Sequence, residues 1–148
     1  MPPVSDNPYR HLVGHKLPGA TYTLPEYVTW LWHDTVLVAP DSDVAHPSLG
    51  YFVGMQGIGV SIQDMFDLFD ATADSGVMFG EADLDFAGTL RPGGTYDCEA
   101  EIVGVERKEG KRAGVFDKMT FVVRVRDQAS GEPVVTASNT WIFPRARA

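Results

Sequence analysis

A single cysteine, Cys98, in 148 residues rules out an internal disulfide. Basic residues are scarce: 12 Lys and Arg against 20 Asp and Glu leave a formal charge of −8. That is the wrong sign for the cationic footprint with which proteins displace counterions from nucleic acid. No apolar run approaches the ~20 residues needed to cross a bilayer. The chain shows neither the basic n-region nor the apolar h-region of a secretory signal, so a cytoplasmic protein is expected, with no membrane and no nucleic-acid partner. Missing as well are a phosphate loop ending in Gly-Lys-Ser/Thr, a His-Glu-x-x-His pair and a Cys-x-x-Cys pair. Gly57, Gly59 and Ser61 do not have the order of a nucleophile elbow, which places the serine between its glycines. The four histidines are scattered singly, and neither a metal nor a cofactor is expected.

What is present reads as one domain, long enough to bury roughly 70% of the surface its unfolded chain exposes. Residues 1–13, rich in proline and polar side chains, are expected to be a loose N-terminal arm, and 14–148 the ordered domain. "TLPE" offers Thr23 as N-cap and Glu26 as its reciprocal partner. A helix should follow, packing Tyr27, Trp30, Leu31 and Val38 and ending at Pro40. A second helix is expected from Gly57 to about Ala71, where Ile58, Ile62, Met65, Phe66 and Phe69 form one stripe opposite Gln63, Asp64, Asp67 and Asp70.

Beyond it the period becomes two. "GVMFGEADLDFAG", "TYDCEAEIVGVE", "KMTFVVRVRD" and "EPVVTASNTWIF" alternate apolar with polar residues, joined by the turn-forming "RPGG", "KEGKRAG" and "QASGE". Cys98 alternates inward, as an inert core thiol would. The expected architecture is α+β, a curved antiparallel sheet of meander-like strands wrapped around a long central helix.

One loop carries residues of the type that move protons. In "APDSDVAHPSLGYFVGMQGIG" Asp41 and His46 stand five apart. A carboxylate and an imidazole can hold a water between them, one taking its proton while the other orients it or returns a proton elsewhere. The helix expected to open at Gly57 would present free amides and its positive dipole end, which stabilise an oxygen on which charge develops. The same residues also suit an ordinary loop, with Asp41 capping a turn and His46 bonded to backbone. Tyr51, Phe52, Met55 and Gln56 are candidates to line a substrate pocket, or equally to pack a core. Seven of the twelve basic residues fall between Arg107 and Arg126, as a solvated hairpin or as a patch for phosphate groups.

"VGHKLPGATYTLPEYV", the Asp41 to His46 step, the apolar segment opening at Gly57 and "FAGTLRPGGTYDCEAEIVGVE" together resemble the MaoC-like hydratases and dehydratases over most of the chain. That resemblance implies the hotdog fold and reversible hydration of an enoyl thioester of CoA or a carrier protein. It implies Asp41 and His46 as the acid/base pair and the Gly57 amide as donor to the thioester oxygen. It further implies a homodimer, or a heterodimer with another hotdog subunit. "PDSDVAH" departs from the family's Gly-Asp-x-Asn-Pro-Leu-His, and Gln56 stands where a histidine is usual. Asp43 is therefore an alternative carboxylate, and a non-catalytic acyl-binding subunit an alternative role. A thioesterase using Asp64 or Asp67 is the third reading.

Overall fold

The computed structural model describes residues 7–145, so the first six residues of the expected arm and residues 146–148 lie outside it. The elements, in chain order, are β1 (Lys16–Thr23), α1 (Glu26–Thr35), α2 (Leu49–Gln56), α3 (Ile62–Asp67), β2 (Met78–Phe86), β3 (Thr95–Gly110), β4 (Gly114–Asp127) and β5 (Pro133–Pro144). The strands make one antiparallel sheet in the order β1-β3-β4-β5-β2.

Alternation places Tyr96, Cys98, Ala100 and Ile102 of β3, Met119, Phe121, Val123 and Val125 of β4, and Val135, Ala137, Trp141 and Phe143 of β5 in the core. The inner face closes over α2, whose Leu49 and Val53 are fully buried. Trp141 anchors this core, edge-on to Phe121 at 5.1 Å and stacked on Phe79 at 4.6 Å. Such aromatic pairs add about 0.5–1.5 kcal/mol each beyond the area they bury. The curved sheet around a helix is the expected α+β hotdog arrangement.

Several expectations about individual elements are corrected. The chain is already packed ahead of Gly14: Leu12 is buried, and the Tyr9 hydroxyl donates to Asp70 at 2.9 Å. β1 is not signalled by alternation, which Pro18 and Gly19 interrupt; the sheet accommodates them at a register shift between Leu17 and Ala20. β2 pairs with β5 rather than with β3, so only β3, β4 and β5 form a meander. Helix α1 starts after Pro25 without the Thr23 side-chain cap. It ends at Thr35, where Leu37 turns to a positive φ of 58°, five residues before Pro40. The reciprocal cap belongs to α3 instead, where Ser61 and Asp64 exchange bonds of 2.9 and 3.0 Å.

The helix expected from Gly57 to about Ala71 is reduced to the short α3, the sheet wraps α2 ahead of it, and Gly57 closes α2 instead of opening a helix. Its amide donates to the carbonyls of Val53 and Gly54 at 3.0 and 3.1 Å. Two physical reasons combine here. Gly59 takes a positive φ of 78°, which breaks helical continuity. A Cβ at Gly57 would collide with the side chain of Cys98, and one at Gly59 with the Gly19 carbonyl. These glycines let the turn between α2 and α3 press against β1 and β3.

Candidate active site

The loop carrying Asp41 and His46 is held from three sides. Its floor is the "RPGG" segment: the Ala45 amide donates to the Leu90 carbonyl at 2.8 Å. Reciprocal bonds of 2.7 and 2.8 Å between Leu24 and the Gly93–Gly94 turn tie that segment to the start of α1. The last turn of α1 supplies the remaining contacts through Trp32 and His33.

His33 is buried, and its Nε2 accepts the backbone N–H of His46 at 2.8 Å. In the neutral ring the proton must then sit on Nδ1, which is buried without a hydrogen-bond partner among the described residues. His46 has the opposite tautomer. The Ser48 amide donates to His46 Nδ1 at 3.2 Å, and Ser48 Oγ lies 2.7 Å from the same nitrogen. Trp32 Nε1–H donates to Ser48 Oγ at 2.7 Å, which leaves the hydroxyl hydrogen for His46. The ring proton of His46 is therefore on Nε2. Aromatic packing of Phe52 against Trp32 and Tyr22, each at 6.0 Å, steadies this network.

Asp41 and His33 line a cavity of about 390 Å³ together with Glu26, Thr29, Trp30 and Pro92. Asp41 Oδ1 accepts the amides of Asp43 and Val44 at 2.8 and 3.2 Å, the turn-capping contact. Among the described residues no hydrogen bond joins Asp41 to His46 directly. His33 is the link, since it lines the cavity of Asp41 and holds the backbone of His46.

The remaining candidates scatter. Tyr51 faces a second cavity, beside β2. Met55 and Gln56 border a shallow depression with Ile58 and Ser61. The Gly57 amide is consumed inside α2, at the helix end whose dipole is negative, so the expected donor geometry is absent there. Asp64 caps α3, its carboxyl held below the usual range chiefly by the Ser61 amide and then by the Ser61 hydroxyl. Asp67 accepts from Gln63 at 2.8 Å. Burial, with a smaller contribution from Asp97, pushes the Cys98 thiol up to about 11, so it stays protonated at neutral pH. Of the basic stretch, Arg107 pairs with Asp117 and Arg124 with Glu101, at 2.9 and 2.7 Å. His33 is not marked by the apolar pattern of α1, because it falls outside the Tyr27/Trp30/Leu31 stripe. In the fold that stripe is exposed, and Thr29 and His33 face inward. A polar pair four apart on the opposite side of α1 was the signal.

The sequence matches no protein-family model and no curated protein. Solved structures do share its fold. The monoamine oxidase regulatory protein from Archaeoglobus fulgius is 18% identical, with 91% of this chain and 92% of that chain covered and a TM-score of 0.64. The HadBC (3R-hydroxyacyl-ACP dehydratase) complex from Mycobacterium tuberculosis is 14% identical, with coverages of 88% and 96% and a TM-score of 0.66. The ChsH1-ChsH2 complex from the same organism is 18% identical, with coverages of 95% and 90% and a TM-score of 0.65. The chain thus has the hotdog fold of MaoC-like dehydratases. Among the described residues no helix is long and apolar enough to cross a membrane.

Proposed function

We propose that this chain catalyses reversible hydration of a 2-enoyl thioester carried by CoA or a carrier protein. The observation that carries the reading is a cavity lined by both Asp41 and the buried His33, whose Nδ1 has no hydrogen-bond partner among the described residues. In the hydration direction Asp41 takes a proton from water as its oxygen adds to C3. His46 supplies a proton to C2 from Nε2, and the proton gained by Asp41 passes back to Nε2 through water, so that both groups are restored and one water is added in all. Charge gathers meanwhile on the thioester oxygen. No Lys or Arg lies between His46 and Thr89, and the Gly57 amide is committed to α2. The His33 Nδ1–H is the donor we assign to that oxygen in its place.

A hotdog partner belongs to this reading. The solved neighbours HadBC and ChsH1-ChsH2 are complexes of two kinds of subunit. Here Tyr27, Trp30 and Leu31 expose an apolar face on α1, at 66%, 56% and 49% of their surface. Strand β2 pairs on one side only. Faces and edges of this kind are ordinarily covered. Light scattering at micromolar concentration should give a species above 16 kDa, alone or with a second hotdog chain.

One observation favours the alternative role of a non-catalytic acyl-binding subunit: Asp41 Oδ1 is already engaged by two amides of its own turn. A panel of trans-2-enoyl-CoA esters separates the readings. Loss of enoyl absorbance without thiol release supports hydration, and thiol release means hydrolysis. No change, alone or with a partner, leaves the binding subunit.

A further inference from the structure

Asn139 lies in the middle of β5, between Phe121 of β4 and Ala82 of β2. It alternates inward with Ala137 and Trp141, and only 1% of its surface is exposed. Among the described residues neither its carboxamide oxygen nor its nitrogen has a hydrogen-bond partner. Buried amides are almost always bonded, because desolvating one without compensation is costly. Asn139 is thus a polar group kept in an apolar core with its acceptor and both donors unused.

It also lines a cavity of about 260 Å³. Tyr51 of α2, Phe79 and Trp141 give this cavity aromatic walls, and Glu81 stands at the exposed β2 side. The opening arises where the pairing of β2 with β5 shifts between Phe79 and Glu81, leaving Gly80 unpaired. At that point the sheet is one residue out of step, beside the cavity that Asn139 lines. The volume falls below the ~300–1,000 Å³ typical of sites for larger organic ligands, which limits the occupant to a small group.

We infer that this cavity binds a small aromatic or cyclic group bearing a carboxamide or hydroxyl, read by Asn139 while Phe79, Trp141 and Tyr51 enclose the rest. A carboxamide matches Asn139 by a reciprocal pair of N–H···O=C bonds. A hydroxyl matches it by donating to the oxygen and accepting from the nitrogen. A purely apolar group would leave Asn139 unpaired and gain only the walls. Tyr51 lies five residues beyond His46, so within the proposed function this is where a polar tip on the acyl group would be recognised. The cavity and its amide do not depend on that function.

The test is binding, not turnover. Benzamide and its apolar shape mimic isopropylbenzene are titrated into the full chain while the Asn139 side-chain N–H₂ pair is followed by ¹H–¹⁵N NMR. Benzamide should bind at least about tenfold more tightly and move the Asn139 signals, since a site built around buried polar groups discriminates against the analogue that leaves them unpaired. Asn139→Leu should raise the melting temperature by removing the unbonded amide, and should abolish or reverse the preference. Asn139→Gln, which keeps both functions on a longer arm, should retain a weakened preference. Equal affinities, no binding of either probe up to its solubility, or benzamide binding unchanged in Asn139→Leu would overturn the inference. So would a melting temperature lowered by Asn139→Leu, because it would mean the amide is bonded within the protein. None of these measurements needs enoyl-thioester turnover, so a failure of the hydratase reading shows up separately.

Discussion

Two regions bury polar side chains and treat them in opposite ways. Around Asp117, fully enclosed in β4, Arg107 donates twice at 2.9 Å and Arg145 once at 2.7 Å. Arg145 also donates to the Phe69 carbonyl at 2.6 Å and lies 4.4 Å from the centre of the Tyr9 ring. Burial alone would raise the Asp117 carboxyl, but the two guanidinium groups outweigh it and hold it below the usual range. Among the described residues Arg145 Nη2 alone lacks a partner there. Around Asp41 and His33, by contrast, a buried imidazole N–H is left unused beside a cavity. Polar groups that answer one another fasten the N-terminal segment, α3 and β5 together. Polar groups left unanswered at a cavity can answer a ligand.

The contrast is broken most severely at Asp117. Asp117→Ala strands two cations in the interior and should cost about 3–5 kcal/mol, as removal of one partner from a buried ion pair does. Urea denaturation measures this, and a loss under about 1 kcal/mol would show that the cluster is no fastener. Asp41→Asn should do the reverse. The amide keeps the oxygen that caps the turn, so the denaturation midpoint should stay put while hydration falls at least ~100-fold, the lower range for lost acid/base assistance. Equal turnover in both proteins would remove Asp41 from the mechanism.

A smaller effect sharpens the role of His33. His33→Asn retains an N–H near the position of Nδ1 but loses the acceptor for the His46 amide, whereas His33→Gln does the opposite. If the Nδ1–H binds the thioester oxygen, Asn should keep roughly tenfold more kcat/KM than Gln, although Gln better preserves the melting temperature. The opposite ranking in kcat/KM would make His33 an anchor of the loop alone. Least in size is the pH response of the Asp117 cluster. Its carboxyl is depressed in the folded state, so its contribution is complete above the ordinary aspartate value of 3.8. It is lost as pH falls through the lower, folded value. The stability gap between wild type and Asp117→Asn should accordingly be constant near neutrality and narrow below about pH 4. A gap indifferent to pH would contradict the assignment.

How much of this was legible in the sequence differs from element to element. The alternation of Tyr96, Cys98, Ala100 and Ile102, and of Met119, Phe121, Val123 and Val125, marked β3 and β4 with their buried faces. Helix α1 was visible, but its inward side was not. Tyr27, Trp30 and Leu31 have the apolarity of a core stripe, yet in this chain they face outward, and the shorter Thr29 and His33 fill the space beneath. Gly57 was misplaced for a similar reason. A glycine between apolar residues suits either end of a helix, and only the contact with Cys98, 41 positions away, makes it the end of α2. Of the candidate site, spacing singles out Asp41 and His46, and Asp41 lines a cavity with Pro40 and Ser42 of the same loop. The tautomers of both histidines depended on Trp32, Ser48 and a backbone amide that local pattern cannot bring together.

The sequence by itself determined the period of β3, β4 and β5, the turns between them, and the burial of Cys98, because side-chain alternation and turn chemistry act over a few residues. Tertiary structure alone decided that β2 joins β5 across the sheet, that α2 stops at Gly57, and that His33 and Asn139 lie buried with polar atoms unpaired. These outcomes turn on which surfaces meet when distant segments close over one another, and on whether a backbone can approach where a Cβ would not fit. Neither is encoded in any short window of the chain.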